Sequence, residues 1–277
     1  MLRCHLEPLL VGKRVTGFQV LKPRVVRPET PRQLQGGVAG CSIKGVGRQG
    51  KFLWLDLAKA RSRKTFPLTI HLGMTGRLFV QDSDCPLPGH TAAVFGLGRK
   101  RLVFRDPRSF GRVTLKTDSL DQLGVDALSV EFTIPKLMDA FSRTSQAVKI
   151  RLMDQQHIAG LGNIYACEVL HRARVSPFSA ASELRLAKVK ALHQAIRVTL
   201  QKQIELGLKL KLNFAGEGKS DGLFYFGSTS SQAHQSRERF RVYGREGEAC
   251  PACGNKIERV EQAKRGTFFC PQCQQRE

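Results

Sequence analysis

The sequence is short of negative charge. Asp and Glu number 23 against 45 Lys and Arg, a formal net charge of +22 over 277 residues. An excess of that size repels itself in a compact fold and is tolerated best beside a polyanion. Nucleic acid therefore leads, with an anionic membrane surface or a merely basic protein as competitors. Long apolar runs are missing too: no stretch of about 18 apolar residues occurs, so no membrane span is expected. The start, Met1 to Val15, has no apolar stretch of signal-peptide length, which points to the cytosol. There is no internal repeat and no single basic tail. The cations run from Lys13 and Arg14 through Arg99, Lys100 and Arg101 to Lys264 and Arg265, as on a folded surface that tracks a phosphate backbone through several segments. At 41% hydrophobic, the chain has material for one large domain or two to three small ones.

The first hundred or so residues read as β-structure. Phe52-Leu-Trp-Leu-Asp-Leu57 alternates with Leu on one face, and Gly96-Leu-Gly-Arg-Lys-Arg101 reads as a hairpin turn feeding the strand Leu102-Val-Phe104. Short strands with Gly and Pro punctuation suggest a β-sandwich. Leu161 to Ala173 is apolar on most sides, as a buried helix would be. Ser182-Glu183 opens a helical segment with Val189, Leu192, Ile196 and Leu200 on one face and Gly207 as its C-cap. Residues 213–236, rich in Gly, Ser and Gln, read as a loop or linker.

Of the eight cysteines, Cys4, Cys41, Cys85 and Cys167 are scattered and read as reduced thiols. The others form two C-x2-C knuckles, Cys250-Pro-Ala-Cys253 and Cys270-Pro-Gln-Cys273. The stretch 254–269 between them is the length of a β-hairpin, which returns the second knuckle to complete a tetrahedron around one structural zinc ion. That hairpin carries Lys264-Arg265-Gly266-Thr267 at its expected turn, either a probe for a DNA groove or a solvated turn. In His157-Ile-Ala-Gly160-Leu-Gly162-Asn163 the glycines permit tight turns, and Asn163 suits the N-cap of the next helix. Free N–H groups there would make an anion pocket; an ordinary Gly-rich connection is the alternative. Glu168, on a largely apolar helix, reads as a buried structural carboxylate.

His71-Leu-Gly-Met-Thr-Gly76, Asp106-Pro-Arg-Ser-Phe-Gly111, Leu152-Met-Asp-Gln155 followed by Gly160-Leu-Gly-Asn-Ile-Tyr165, and the terminal four-Cys finger occur in that order. Together the chain resembles bacterial formamidopyrimidine-DNA glycosylase over nearly its whole length. The resemblance implies an α+β fold: an N-terminal β-sandwich (1–115), a helix–two-turn–helix domain (125–222) and a zinc-finger hairpin (239–277). It implies a monomer acting on damaged double-stranded DNA, removing 8-oxoguanine and formamidopyrimidines and then cleaving the abasic strand. Lys51 matches a lysine that assists base removal or elimination, and Arg265 the finger arginine assigned to the last elimination. Met74, Arg108 and Phe110 match the three residues that fill the space left by the extruded nucleotide. Read alone, Met74 and Phe110 would more often be core residues. His90, Lys149 and Asn163 match DNA contacts, and residues 208–225, with Gly216, Gly218 and Gly222, fall where the family carries a lid over the base. The Met/Arg/Phe set favours the oxidised-purine branch over the endonuclease VIII branch.

Members of that family begin Met-Pro-Glu-Leu-Pro-Glu. Their N-terminal Pro amine attacks the sugar C1′ to form a Schiff base, and the neighbouring Glu serves as acid and base. This chain begins Met1-Leu-Arg-Cys-His-Leu-Glu7-Pro8, and the match starts at about Arg3, so neither residue has a counterpart. The leading expectation is a true start upstream of Met1 that encodes the Pro-Glu end. The alternatives are a non-catalytic binder of damaged DNA, or lyase activity through Met1 or a lysine amine.

Overall fold

A computed structural model describes residues 1–142, 144–209 and 240–276. The described chain divides into two compact units, Met1–Asp121 and Gln122–Lys209 with 240–276.

In the first unit, helix α1 (Leu2–Leu10) leads into strand β1 (Gly17–Val20), a 3-10 turn at Pro23–Val26 and helix α2 (Pro31–Val38). Strands β2 (Ser42–Gln49), β3 (Phe52–Ala58), β4 (Thr65–His71), β5 (Arg77–Asp82), β6 (Thr91–Leu97), β7 (Lys100–Arg105) and β8 (Arg112–Thr114) follow, then the single turn of α3 (Asp118–Asp121). The strands form two four-stranded sheets, ordered β1-β6-β7-β5 and β2-β3-β4-β8. Leu53, Leu55 and Leu57 face the core at the two-residue period of a strand and meet Phe95, Leu102 and Phe104 of the other sheet. The expected sandwich is therefore present, as is the hairpin, whose turn is Gly98-Arg99 between Leu97 and Lys100.

Helix α2 is absent from the β-reading of this region, although it carries a signal. Thr30 and Gln33 form a capping box at its start, with Pro31 in the first turn. Leu6, Leu10, Leu34 and Val38 are buried against the sandwich.

The second unit begins with β9 (Val125–Asp126), α4 (Ile134–Phe141), α5 (Val148–Met153) and β10 (Ile158–Ala159), which pairs in parallel with β9. The turn after α5 is held by Gln155: its amide nitrogen donates to the carbonyls of Met153 and Leu161, and its oxygen accepts from Gly160 N. Helix α6 (Asn163–Ala173) is buried on most sides, as expected, and α7 (Leu186–Lys209) packs Val189, Leu192 and Ile196 beside it.

Three local expectations are corrected. Gly207 does not cap α7, which runs through it to Lys209; a helical Gly costs only about 1 kcal/mol and is no stop by itself. Ser182 and Glu183 lie in a 3-10 turn ahead of α7, not at its start. Gly162, not Asn163, is the N-cap of α6; Asn163 is the first residue of the helix, and its amide nitrogen donates to Gly266 O. Residues 213–236, read as a linker, lie outside the described residues.

The last element is a hairpin, β11 (Glu258–Gln262) and β12 (Arg265–Phe269). The chain that approaches it is fixed by Glu168, which is buried as expected. Its carboxylate accepts from the backbone N–H groups of Arg241, Val242 and Tyr243 at 2.8–2.9 Å. Glu168→Gln removes one acceptor and turns an amide NH₂ toward those donors. It should cost about 1.5–3 kcal/mol, the range for a hydrogen bond to a charged group. Urea denaturation reads this directly, and an unshifted midpoint would mean the three bonds do not hold the segment.

Candidate functional site

In the first unit the expected residues gather at one end of the sandwich. Lys51 occupies the two-residue turn Gly50-Lys51 between β2 and β3 and is exposed. Phe52 pairs with His71, and His71 pairs with Arg112. Beyond His71, the loop carrying Met74 packs on the loop carrying Arg108 and Phe110. A Cβ built on Gly73 would lie 2.8 Å from backbone atoms of Phe110 and Gly111, so only glycine permits that approach.

Asp106 fastens the two loops. Its side chain is fully buried, with Oδ1 accepting from Thr75 Oγ1 at 3.0 Å and Arg108 N at 3.3 Å, and Oδ2 accepting from Gly111 N at 2.7 Å. The Asp106 N–H donates to the carbonyl of His90, which brings His90 to the same end. His90 and Ser109 both hold left-handed backbone, φ 66° and 54°, a conformation that side-chain-bearing residues adopt at a cost when the surroundings fix it.

The result is a stiff base with exposed tips. Met74 is 55% and Phe110 45% exposed, so neither is a core residue, and the Arg108 guanidinium lies over the Phe110 ring at 4.8 Å. Two apolar tips and one cation thus project from latched loops. His71 and Asp106 belong to motifs legible in the sequence but were given no role there. His71 Nδ1 accepts from Gly73 N at 3.2 Å. Burial, then the charges of Lys51 and Arg112, hold its pKa below the usual imidazole value.

Lys149, Asn163 and Arg265 gather in the second unit around the finger hairpin. Its turn is not Lys264-Arg265-Gly266-Thr267 as expected. It is the two-residue turn Ala263-Lys264, φ 48° and 59°, the paired positive angles that match hairpin twist. Arg265 therefore opens β12 and is exposed, on the face whose next members, Thr267 and Phe269, are buried.

Lys149 is wholly buried, so the ammonium expected to meet DNA meets the hairpin. It donates to Thr267 Oγ1 at 2.7 Å and to Gly266 O at 3.2 Å. Burial lowers its pKa and the neighbouring Arg265 charge adds to that, against an opposing influence of Cys167. Asn163 Nδ2 donates to the same Gly266 carbonyl at 2.9 Å. The lid expected over 208–225, with Gly216, Gly218 and Gly222, lies outside the described residues from 210 onward.

Cys250, Cys253, Cys270 and Cys273 bring their four sulfurs within 4.8 Å of one another. The set is all thiol, the donor chemistry of a closed tetrahedral zinc site. Without a cation the four could not ionise together. A backbone N–H at Asn255 brings Cys253 down to about 7, while burial first, and then its thiol neighbours, push Cys273 up to about 12. The cluster is thus positioned to bind one zinc ion, which would fold a module too small to hold itself. Cys253→Ser should lower bound zinc well below one equivalent per chain by elemental analysis. Stoichiometric zinc in that variant would show that the ligand set is wrong.

The comparisons with known proteins agree along the chain. Family models match for the formamidopyrimidine-DNA glycosylase N-terminal domain (residues 1–113), the formamidopyrimidine-DNA glycosylase H2TH domain (123–212) and a zinc finger found in FPG and IleRS (247–276). A formamidopyrimidine-DNA glycosylase of Pelotomaculum thermopropionicum is 37% identical, over 98% of this chain and 95% of that protein. One from Chloroflexus aurantiacus is 36% identical over 97% and 93%. Among solved structures, the Lactococcus lactis Fpg in complex with abasic-site DNA superposes with a TM-score of 0.83 at 28% identity, covering 99% of this chain and 97% of that one. The same bacterium's enzyme with FAPY-dG DNA gives 0.82 at 30% identity with the same coverage. The chain belongs to the formamidopyrimidine-DNA glycosylase family.

Proposed function

We infer that this protein is a base-excision repair glycosylase and abasic-site lyase that removes oxidised purines, 8-oxoguanine and formamidopyrimidines, from duplex DNA. The observation that carries the reading is the pair of loops latched by Asp106, with Met74, Phe110 and Arg108 projecting from them. Extruding a damaged nucleotide costs a few kcal/mol of stacking and pairing. Two apolar side chains in the vacated space, with a guanidinium toward the orphaned partner base, offset that cost. Wedges can do so only if they are held ready, and a buried carboxylate that accepts from the Thr75 hydroxyl on one loop and from Arg108 N and Gly111 N on the other holds them.

The remaining roles follow the chemistry of each group. Lys51, an exposed ammonium on a rigid turn, donates a proton during base loss or elimination. His90 contacts the DNA backbone. Arg265 grips phosphate from the finger and assists the last elimination. Lys149 and Asn163 serve the same contact by holding the carbonyl of Gly266, next to Arg265, in place. The net charge of +22 supplies salt-sensitive attraction to the duplex. The protein works as a monomer in the bacterial cytosol or nucleoid. No described helix is long and apolar enough to cross a membrane.

Schiff-base chemistry requires an amine that is neutral at working pH. The decisive experiment is borohydride trapping of the protein isolated from its own cells on an 8-oxoguanine duplex, with the attacking residue identified by sequencing. A covalent protein–DNA adduct is expected. Tight binding to the lesion with neither adduct nor strand cleavage would refute the enzyme assignment. Phe110→Ala tests the wedge separately. Its exposed ring can be removed with a change in stability within about 0.5 kcal/mol, while excision should fall about tenfold or more if it supplies at least 1.4 kcal/mol of the extrusion cost. Unchanged excision would remove Phe110 from the mechanism.

A further inference from the structure

The finger is fastened to α6 at a point that neither the zinc ligands nor the hairpin contacts require. His171, on the last turn of α6, is buried at 3% exposure, and its Nε2 lies 3.2 Å from the Sγ of Cys250. His171 stands two helical turns beyond Asn163, at i+8, on the side of α6 that faces the finger. It is not part of the ligand cluster, whose close-set group comprises the four cysteines alone among the described residues.

The direction of the contact follows from the chemistry of the partners. A zinc-bound cysteine is a thiolate and can only accept, so the proton between the two atoms belongs to Nε2. The other ring nitrogen agrees: Nδ1 is buried with no hydrogen-bond partner among the described residues. An unpartnered buried N–H costs more than an unpartnered lone pair, which leaves Nδ1 bare and fixes the tautomer. The charge balance gives the bond its purpose. Four thiolates around one Zn²⁺ carry a net charge of −2, and Cys250 and Cys270 are buried at 3% and 0% exposure. Such a centre needs donors to its sulfurs. Cys250 has two, the backbone N–H of Ala252 at 3.4 Å and His171.

We propose that His171 is a positioning residue for the zinc centre, donating its Nε2–H to the Cys250 thiolate so that α6 holds the ion as well as the hairpin. The bond draws electron density from the sulfur, slows loss of the ion, and shields that thiolate from electrophiles and oxidants. It also couples zinc occupancy to the helix that carries Asn163.

His171→Phe removes the donor while keeping an aromatic ring in the cavity. His171→Gln restores an N–H at similar reach. Removal of such supporting hydrogen bonds typically lowers metal affinity by about 10- to 100-fold. Zinc transfer from the intact chain to a chromogenic chelator should therefore be about tenfold or more faster in the Phe variant and near the original rate in the Gln variant. With cobalt in place of zinc, the thiolate-to-metal charge-transfer band should move to lower energy in the Phe variant and return in the Gln variant, a signature that packing alone would not produce. Zinc release and a cobalt spectrum unchanged by His171→Phe would overturn the proposal. Should that variant fail to fold, nitrogen NMR of the unsubstituted zinc-loaded protein decides: a proton on Nε2 supports it, and one on Nδ1 alone refutes it.

Discussion

Asp106 and Glu168 are buried carboxylates that give their lone pairs chiefly to backbone N–H groups, and each unit is organised around one of them. A loop has no repeating partner for its N–H groups, so a loop that must be both exposed and rigid needs an acceptor brought from elsewhere. A carboxylate is well suited, because two oxygens can take several donors and the bonds are charge-assisted. In the first unit this fixes the base from which Met74, Arg108 and Phe110 project. In the second it fixes the chain that enters the finger. A protein with 23 acidic residues against 45 basic ones thus places two of its carboxylates where backbone donors, joined at Asp106 by the Thr75 hydroxyl, satisfy them.

The structure becomes readable from sequence where the signal is local and periodic. The alternating leucines of β3, the apolar helix α6 and the paired Cys knuckles each state their geometry within a few residues, and all three stand as expected. Boundaries set by competition were harder to see. Asn163 has the residue type of an N-cap, yet it stands one position inside the helix and its amide nitrogen donates to a carbonyl 103 positions away, which no local pattern reveals. Gly207 looks like a stop, but a glycine ends a helix only where the chain turns away with its own capping bonds, and here the helix continues. The capping box of Thr30 and Gln33 was visible in principle and was masked by the strand-rich character around it.

The site shows the same division. Read alone, Met74 and Phe110 look more like core residues, because exposure is a tertiary property that residue type does not show, and both are in fact exposed. Lys149 shows the opposite case. Its type and position suited a phosphate contact, but a lysine stem is long and apolar enough to bury, and the ammonium finds Thr267 and Gly266 when it does. Its cost in desolvation is visible as a lowered pKa. That cost is sustained because a two-stranded hairpin is marginal on its own and needs fixed points beneath it.

Helix α6 supplies more than one of those fixed points. Asn163 in its first turn reaches the hairpin strand, Glu168 at its middle holds the chain entering the finger, and His171 in its last turn meets a zinc ligand. A small module stapled by a metal has two ways to lose its orientation: it can release the ion, or it can pivot as an intact body. Four cysteines guard only against the first. Contacts spread along a helix of 11 residues, some 16 Å at about 1.5 Å per residue, guard against the second, because a pivot about any one of them must break another. The precision with which Arg265 is presented is therefore a property of α6 as much as of zinc.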